Sequence, residues 1–407
     1  MRLSYNPLGN YIKEVNVRNS DLSITNLLGV SMEKTFIPSV ANLNGVDLSV
    51  YKILKKNQLA CKLMSVGRDE KLPVDLYKNE NPAIVSSAYY VFEPNDVNEL
   101  LPEYLLMWLS RPENDRYIGF ISGGDVRGGI SWETFCTLPI RVPKLEKQRE
   151  LVKEYRVIQD RISLNQQLIK KLEEGAQAIY KQWFVEFEFP DFDRKPYKSN
   201  GGEMVWNEEL RKEIPKGWEV VSIKKFCKEM KTGGTPSRDN LNYWKTKDIP
   251  WLKTGEISNR VLISSEEFIS RDGCKNSSAK ILPVNTVLIA LYGEGKTKGQ
   301  AGYLRFEAAT NQASCAMICN NELDSTFLYY FFRINQYEIA NLANGGAQPN
   351  LSKELIENIQ VIRPALQDMK KHPFINFINC SELLEKENQR LMDLKELLIS
   401  RLATVEG

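Results

Sequence analysis

The segment with the clearest chemical potential is Ala290-Leu291-Tyr292-Gly293-Glu294-Gly295-Lys296-Thr297, which follows a strand-like apolar run. It is one glycine short of the G-x-x-x-x-G-K-T loop that cradles phosphates with backbone N–H groups. Ala290 stands where the first glycine belongs, so the entry turn lacks the backbone freedom of a phosphate cradle, and no acidic strand for magnesium follows. The stretch from Gly293 to Gly299 therefore reads as a flexible basic loop presenting Lys296 and Lys298, as a nucleotide site, or as an ordinary surface turn. Other reactive constellations are sparse. His372 is the only histidine, which excludes a Ser-His-Asp triad and a histidine-based metal site. The seven cysteines contain no C-x-x-C pair, and Cys315 and Cys319 lie in an apolar stretch that fits buried thiols. Glu294 near Lys296 only weakly imitates a nuclease cluster, and Glu173-Glu174 and Glu208-Glu209 sit in charged helical contexts that read as solvated faces. Neither a G-x-G-x-x-G fingerprint nor an Asn/Asp-Pro-Pro-aromatic motif is present.

The elements that would position such residues come in two sets. With 407 residues the chain exceeds one ordinary core, so two or more domains are expected. Its net charge of +2 neither requires nor excludes a nucleic-acid partner. No apolar run reaches the ~18–20 residues of a membrane span and the first residues lack a secretion signal, which makes the cytoplasm the expected compartment. Four features recur in order roughly 220 residues apart, a period far longer than a solenoid's. Asn98-Glu99-Leu100, the apolar Tyr104–Leu109 segment, Gly123-Gly124 and Leu138–Pro143 are matched by Asn321-Glu322-Leu323, Phe327–Phe332, Gly345-Gly346 and Ile359–Pro364.

Each half ends in a charged helical segment. Leu151, Tyr155, Ile158, Ile162, Asn165, Ile169, Leu172, Ala176, Ile179 and Trp183 follow the alternating four-three spacing of a coiled-coil seam. Phe377, Cys380, Leu384, Leu391, Leu394 and Leu398 repeat it less regularly, and Asn388 matches Asn165 by the repeat offset. The two helices are expected either to pair antiparallel or to pack separately on their own domains. Phe189-Pro190-Asp191-Phe192-Asp193 and Lys198-Ser199-Asn200-Gly201-Gly202 mark a boundary near residue 190. Short β-rich runs between Gly/Asn/Ser turns give an α+β reading.

Several ordered motifs add a family likeness. Lys231-Thr232-Gly233-Gly234-Thr235-Pro236-Ser237, then Asn242-Tyr243-Trp244, Ile249-Pro250-Trp251 and Gly255-Glu256-Ile257, resembles the opening of a target-recognition domain in type I restriction-modification specificity subunits. Ile214-Pro215-Lys216-Gly217-Trp218, Ala309-Thr310-Asn311-Gln312-Ala313, Gly345–Ser352 and the Pro143–Gln148 step into the first helix are similar to that family too. The first half departs from it, with Leu28-Gly29-Val30-Ser31 and Phe36–Asn42 in place of the Gly-Gly-Thr-Pro-Ser opening, and the second junction, Pro364-Ala365-Leu366-Gln367-Asp368, lacks the Glu-x-Gln or Glu-Gln step.

The resemblance implies two mixed α/β target-recognition domains (1–143 and 191–364) separated by two long antiparallel coiled-coil helices (144–190 and 365–407), in a pseudo-twofold repeat. It implies a non-catalytic, DNA-binding subunit that reads a bipartite gapped target, one half-site per domain. Two methyltransferase subunits and restriction/translocase subunits are the implied partners, with S-adenosylmethionine, ATP and magnesium in those partners and no cofactor or metal on this chain. A DNA-independent coiled-coil scaffold, and a methyltransferase or nuclease fused to a recognition domain, are the rival readings. DNA reading calls for polar and basic side chains on glycine-anchored loops. The candidates are Lys34, Arg68, Ser86 and Arg127 in the first domain, and Thr235, Ser237, Lys253, Lys296, Lys298 and Gln312 in the second.

Overall fold

The computed structural model describes residues 5–39, 45–64, 66–122, 128–293, 297–345 and 350–404. The chain packs into two compact units, Met1–Ile162 with Arg390–Gly407, and Ser163–Gln389. Both are α+β.

In the first unit, four short strands run antiparallel in the order Ile12–Glu14, Tyr90–Pro94, Leu59–Cys61, Val74–Leu76. A second sheet joins Leu27–Val30 in parallel to Ala83–Val85 and antiparallel to the hairpin strand Phe36–Pro38. The second unit has the same ladder. Glu229–Thr232, Ser314–Ile318, Val287–Ala290 and Ala301–Leu304 follow one another antiparallel, with Arg260–Leu262 added in parallel. Ile249–Leu252 joins Ala309–Thr310 in parallel and Glu267–Ile269 antiparallel. Each unit also closes its own ends: Asn6–Pro7 pairs with Pro139–Ile140, and Glu219–Ser222 with Gln360–Arg363. Central strands such as Leu59–Cys61 and Val287–Ala290 are buried at every position, which explains their unbroken apolar sequence rather than period-two alternation.

The apolar segments of the repeat become helices Pro102–Leu109 and Glu322–Ile334, which roof the two cores. In the first, Trp108 and Tyr104 are buried and their polar tips donate to Pro139 O and Arg141 O. In the second, Phe327, Tyr329, Tyr330 and Phe332 fill the interior.

The first long helix is Leu145–Tyr180, continued by a π-helical turn over Lys181–Val185. Within the first unit its Leu151, Val152 and Tyr155 share a core with Ile399 of the last helix, Phe374–Arg401, and with Leu402 of the turn after it. Within the second unit Asn165 donates to Asn388 Oδ1 at 3.0 Å and to Glu387 at 3.0 Å, and Tyr180 stacks on Phe374 with centroids 6.0 Å apart. The order of these partners is antiparallel. Of the seam read from the first helix, Leu151, Tyr155, Ile158, Asn165 and Ala176 are buried and Ile162, Ile169 and Leu172 half-buried, while at its end Ile179 and Trp183 are half-buried beside the buried Tyr180 and Phe184. The seam read for the last helix needs correction: Cys380 and Leu394 are exposed, and the buried stripe is Phe374, Ile378, Ser381, Asn388 and Ile399. Leu383, Leu394 and Leu397 make its outer face apolar as well, so spacing alone does not single out the inner one.

The helix entries differ. Gln148, fully buried, accepts from Leu101 N at 2.9 Å and donates to Glu99 O at 2.7 Å and Pro143 O at 2.8 Å. The second entry instead uses Asp368, which accepts from the Trp218 indole at 3.0 Å and pairs with Lys371 at 2.9 Å. Among the described residues no helix is long and apolar enough to cross a membrane, and no group of three or more His, Cys, Asp or Glu could hold a metal ion.

Candidate nucleic-acid interface

The motif loops of the second unit converge because of strand register. Thr232 pairs with Cys315, Ala290 with Ser314, and Ile289 with Ala301, so three loop-bearing strand ends share one sheet edge. Leu291 N then donates to Ala313 O at 2.8 Å, and Leu351 N to Leu291 O at 3.1 Å, which brings in the Asn350-Leu351-Ser352 segment. The Gly233-Gly234 pair is a close approach. A Cβ on Gly233 would lie 2.1 Å from Thr310 O, and one on Gly234 2.2 Å from Ser278 Oγ and 2.5 Å from Ala279 N, so only glycine passes there without displacing backbone. Gly234 N donates to Thr310 O and Gly234 O accepts from the Trp251 indole, both within 2.9 Å.

That crossing delivers Thr235 to Gln312, the hydroxyl donating to Gln312 Oε1 at 2.6 Å on an exposed surface. Asn311 shapes the same turn: its Oδ1 accepts from Thr254 Oγ1 at 2.8 Å, from Ala313 N and from Ser314 Oγ. Ser237 is exposed and its carbonyl accepts from the Trp244 indole at 3.0 Å. Arg238 lies 3.6 Å above the Trp244 ring and pairs with Glu267 at 2.6 Å. Lys253 is held between Glu266 and Glu267, each at 3.1 Å, and these bonds push its pKa up. Glu256 is buried and accepts from Lys253 N and Glu266 N, a structural clamp rather than an acid-base group. Lys298 is half-buried in the turn that returns to Gly299, whose N–H donates to Ala290 O. Lys296 lies outside the described residues.

The first unit has the equivalent edge, where Glu14, Cys61, Val74 and Tyr90 end or begin their strands. Ile130 N donates to Leu63 O at 3.1 Å, as Leu351 N does to Leu291 O. Gly67 N donates to Gly128 O at 2.6 Å, and a Cβ on Gly67 would meet Ser122 Oγ at 1.9 Å. Arg68 follows that glycine in the helical turn Val66–Asp69, with its side chain outside the described residues, as is Arg127. Ser86 is half-buried in the turn closed by Tyr89 N on Ser86 O. Lys34 is an internal group. Its ammonium bonds Asp115 at 2.9 Å and Leu109 O at 3.1 Å, and burial pulls its pKa down against the Asp115 charge. The structure thus joins Thr235 and Gln312 directly, puts Ser237 and Lys298 on loops of the same unit, and commits Lys34 and Lys253 to carboxylates.

Comparison with known proteins bears on this surface. The family profile described as "Type I restriction modification DNA specificity domain" matches residues 75–174 and 215–392, more than half of the chain. The chain belongs to that family. Specificity subunits are the recognition rather than the catalytic members of their systems. The HindI specificity subunit of Haemophilus influenzae is 25% identical over 90% of either chain. The MjaIX specificity subunit of Methanocaldococcus jannaschii is 26% identical over 78% of this chain and 71% of its own. Among solved structures, the type I S subunit from M. genitalium superposes with a TM-score of 0.57 at 15% identity, covering 99% of this chain and 96% of that one, a likeness of fold. The geometry places two polar residues that the sequence reading did not choose, Arg238 and Asn311, beside these loops. Both directly adjoin residues it did choose, Ser237 and Gln312, so the signal available was adjacency to the Gly-Gly turn and to its partner loop.

Proposed function

We propose that each unit reads one half of a bipartite, gapped DNA target, and that the two long helices fix the number of unread base pairs between the halves. The observation that carries this reading is one sheet edge built twice with unlike loops on it: Gly-Gly-Thr beside Gln312 in the second unit, Gly67-Arg68 beside Gly128 in the first. Similar frames with different polar surfaces are what two unlike half-sites call for. Thr235, Ser237, Gln312 and Lys298, with Ser86, Arg68, Arg127 and Lys296, are the proposed DNA-facing residues. Lys253 serves through its ion pairs with Glu266 and Glu267, and Lys34 through its bond to Asp115.

Two methyltransferase subunits, and restriction/translocase subunits with them, dock on the outer helix faces in this reading and bring S-adenosylmethionine, ATP and magnesium. This chain supplies position, not chemistry. The test is methylome sequencing of cells expressing the chain with its cognate methyltransferase: a two-part motif with a fixed gap is expected, and a continuous motif overturns the proposal. Inserting one heptad in both helices adds about 10 Å of helix. The gap is then expected to widen by roughly three base pairs or fewer at 3.4 Å each.

A further inference from the structure

The first unit contains a cavity of about 440 Å³ between the edge strand Val74–Leu76, the hairpin turn at Lys34 and the two long helices. Four lysines line it: Lys34, Lys71, Lys78 and Lys395. Lys34 is taken by Asp115 and Lys71 by Glu33. No ion pair among the described residues includes Lys78 or Lys395. Lys395 lies 5.3 Å from the centroid of the Tyr155 ring and is half-buried. Burial lowers its pKa and repulsion from Lys78 lowers it further, with Glu396 acting in the opposite sense. Lys78 and Lys395 therefore face one half-open cavity without a direct ion pair, with Asp75 and Glu396 as the carboxylates whose charge reaches them.

Of the carboxylates on the wall, Asp115 and Glu33 are paired with Lys34 and Lys71, Glu396 opposes an anion, and Tyr155 and Asp75 are arranged to admit one. Tyr155 is buried, and its oxygen accepts from Gln159 at 3.1 Å, which leaves the hydroxyl proton for a further acceptor. The Asp75 carboxylate, which could repel an anion, has its oxygens bonded by Phe36 N and Leu76 N at 2.9 and 2.8 Å, and burial raises its pKa. We propose that this cavity binds a phosphate group, gripped by Lys395, Lys78 and the Tyr155 hydroxyl. The site is separate from the loop edge and bridges the recognition sheet to the last helix. A bound phosphate neutralises the lysine pair and ties Val74–Leu76 to the helices. The phosphate belongs either to a DNA backbone or to a free phosphate compound, and the same donors serve both.

The test titrates inorganic phosphate into the full chain at constant ionic strength set with chloride, read by calorimetry and by the thermal midpoint. Saturable binding is expected, weakened about tenfold or more in Lys395→Gln and in Lys78→Gln, as loss of a charged donor implies. Tyr155→Phe keeps the ring under Lys395 and is expected to weaken binding less, while Lys170→Gln, on the solvent face of the first helix, leaves it unchanged. Midpoints measured without phosphate establish that each variant folds. Absence of saturable binding by the native chain, or affinity in both lysine variants equal to that of the native chain, overturns the site. Duplex DNA titrated across a salt series then identifies the source: a lower affinity and shallower salt slope in the lysine variants assigns the phosphate to DNA, and unchanged DNA binding assigns it to a free compound.

Discussion

The two units share an antiparallel frame, and their differences at the sheet edge and at the helix entry show which parts of the chain hold the fold and which hold the surface. At the sheet edge the second unit uses a Gly-Gly crossing under Thr235, sealed by the Trp251 and Trp244 indoles. The first unit has at its edge a buried Lys52 that pairs with Glu14 at 3.0 Å and lies 5.0 Å from the Tyr90 ring, which stacks on Trp132. At the helix entry the first unit buries a neutral amide, Gln148, with three backbone bonds, and the second buries Asp368 and His372. A neutral entry is indifferent to pH. An entry with a buried imidazole is not.

The largest effect is expected at the glycine crossing. Gly234→Ala drives a Cβ into backbone at Ala279 N and is expected to destabilise the second unit by about 3 kcal/mol or more, whereas the nearest obstacle to Gly67→Ala is the Ser122 side chain, a smaller penalty. Chemical denaturation with a probe in each unit checks this, and equal losses break the comparison. Acid is expected to come next. Burial pushes the His372 imidazole down to about 4 from 6.5, so the folded state holds it neutral. Its contribution is complete above pH 6.5 and is lost as pH falls through the window to about 4, about 3 kcal/mol in all. The second unit should therefore lose stability below pH 6.5 by a route the first does not have, since the chain has no other histidine. His372→Gln should flatten the profile between pH 7 and 5, and an unchanged profile counts against the assignment.

Gln148→Ala leaves Leu101 N, Glu99 O and Pro143 O without their partner and is expected to lower stability of the first unit by about 2 kcal/mol, measured by urea titration. Thr235→Val is the mildest, about 1 kcal/mol or less for one exposed hydroxyl bond. Under the proposed function its larger effect is expected in DNA sequence choice, read from the methylated motif.

Much of the frame was legible in the sequence because it is written in local patterns. The repeat of Asn-Glu-Leu, apolar helix and closing strand marks the roof and the end of each unit, and the first helix keeps its four-three spacing as far as Ala176. The last helix was not legible to the same degree, because apolar residues cover both of its faces and burial depends on what packs against it. The glycines of the second edge stood out by type. The status of the cations did not: Lys34 meets Asp115 across 81 positions of sequence, and Lys253 meets two glutamates through a sheet pairing. Ion pairs between distant segments leave no periodicity to read.

The most direct test of divided recognition compares methylated motifs produced by the native chain and by a Thr235→Val/Gln312→Ala variant, each expressed with the same methyltransferase. A change confined to one half of the motif, with the other half and the gap length intact, is predicted. A variant that alters both halves together, or changes the gap, contradicts it.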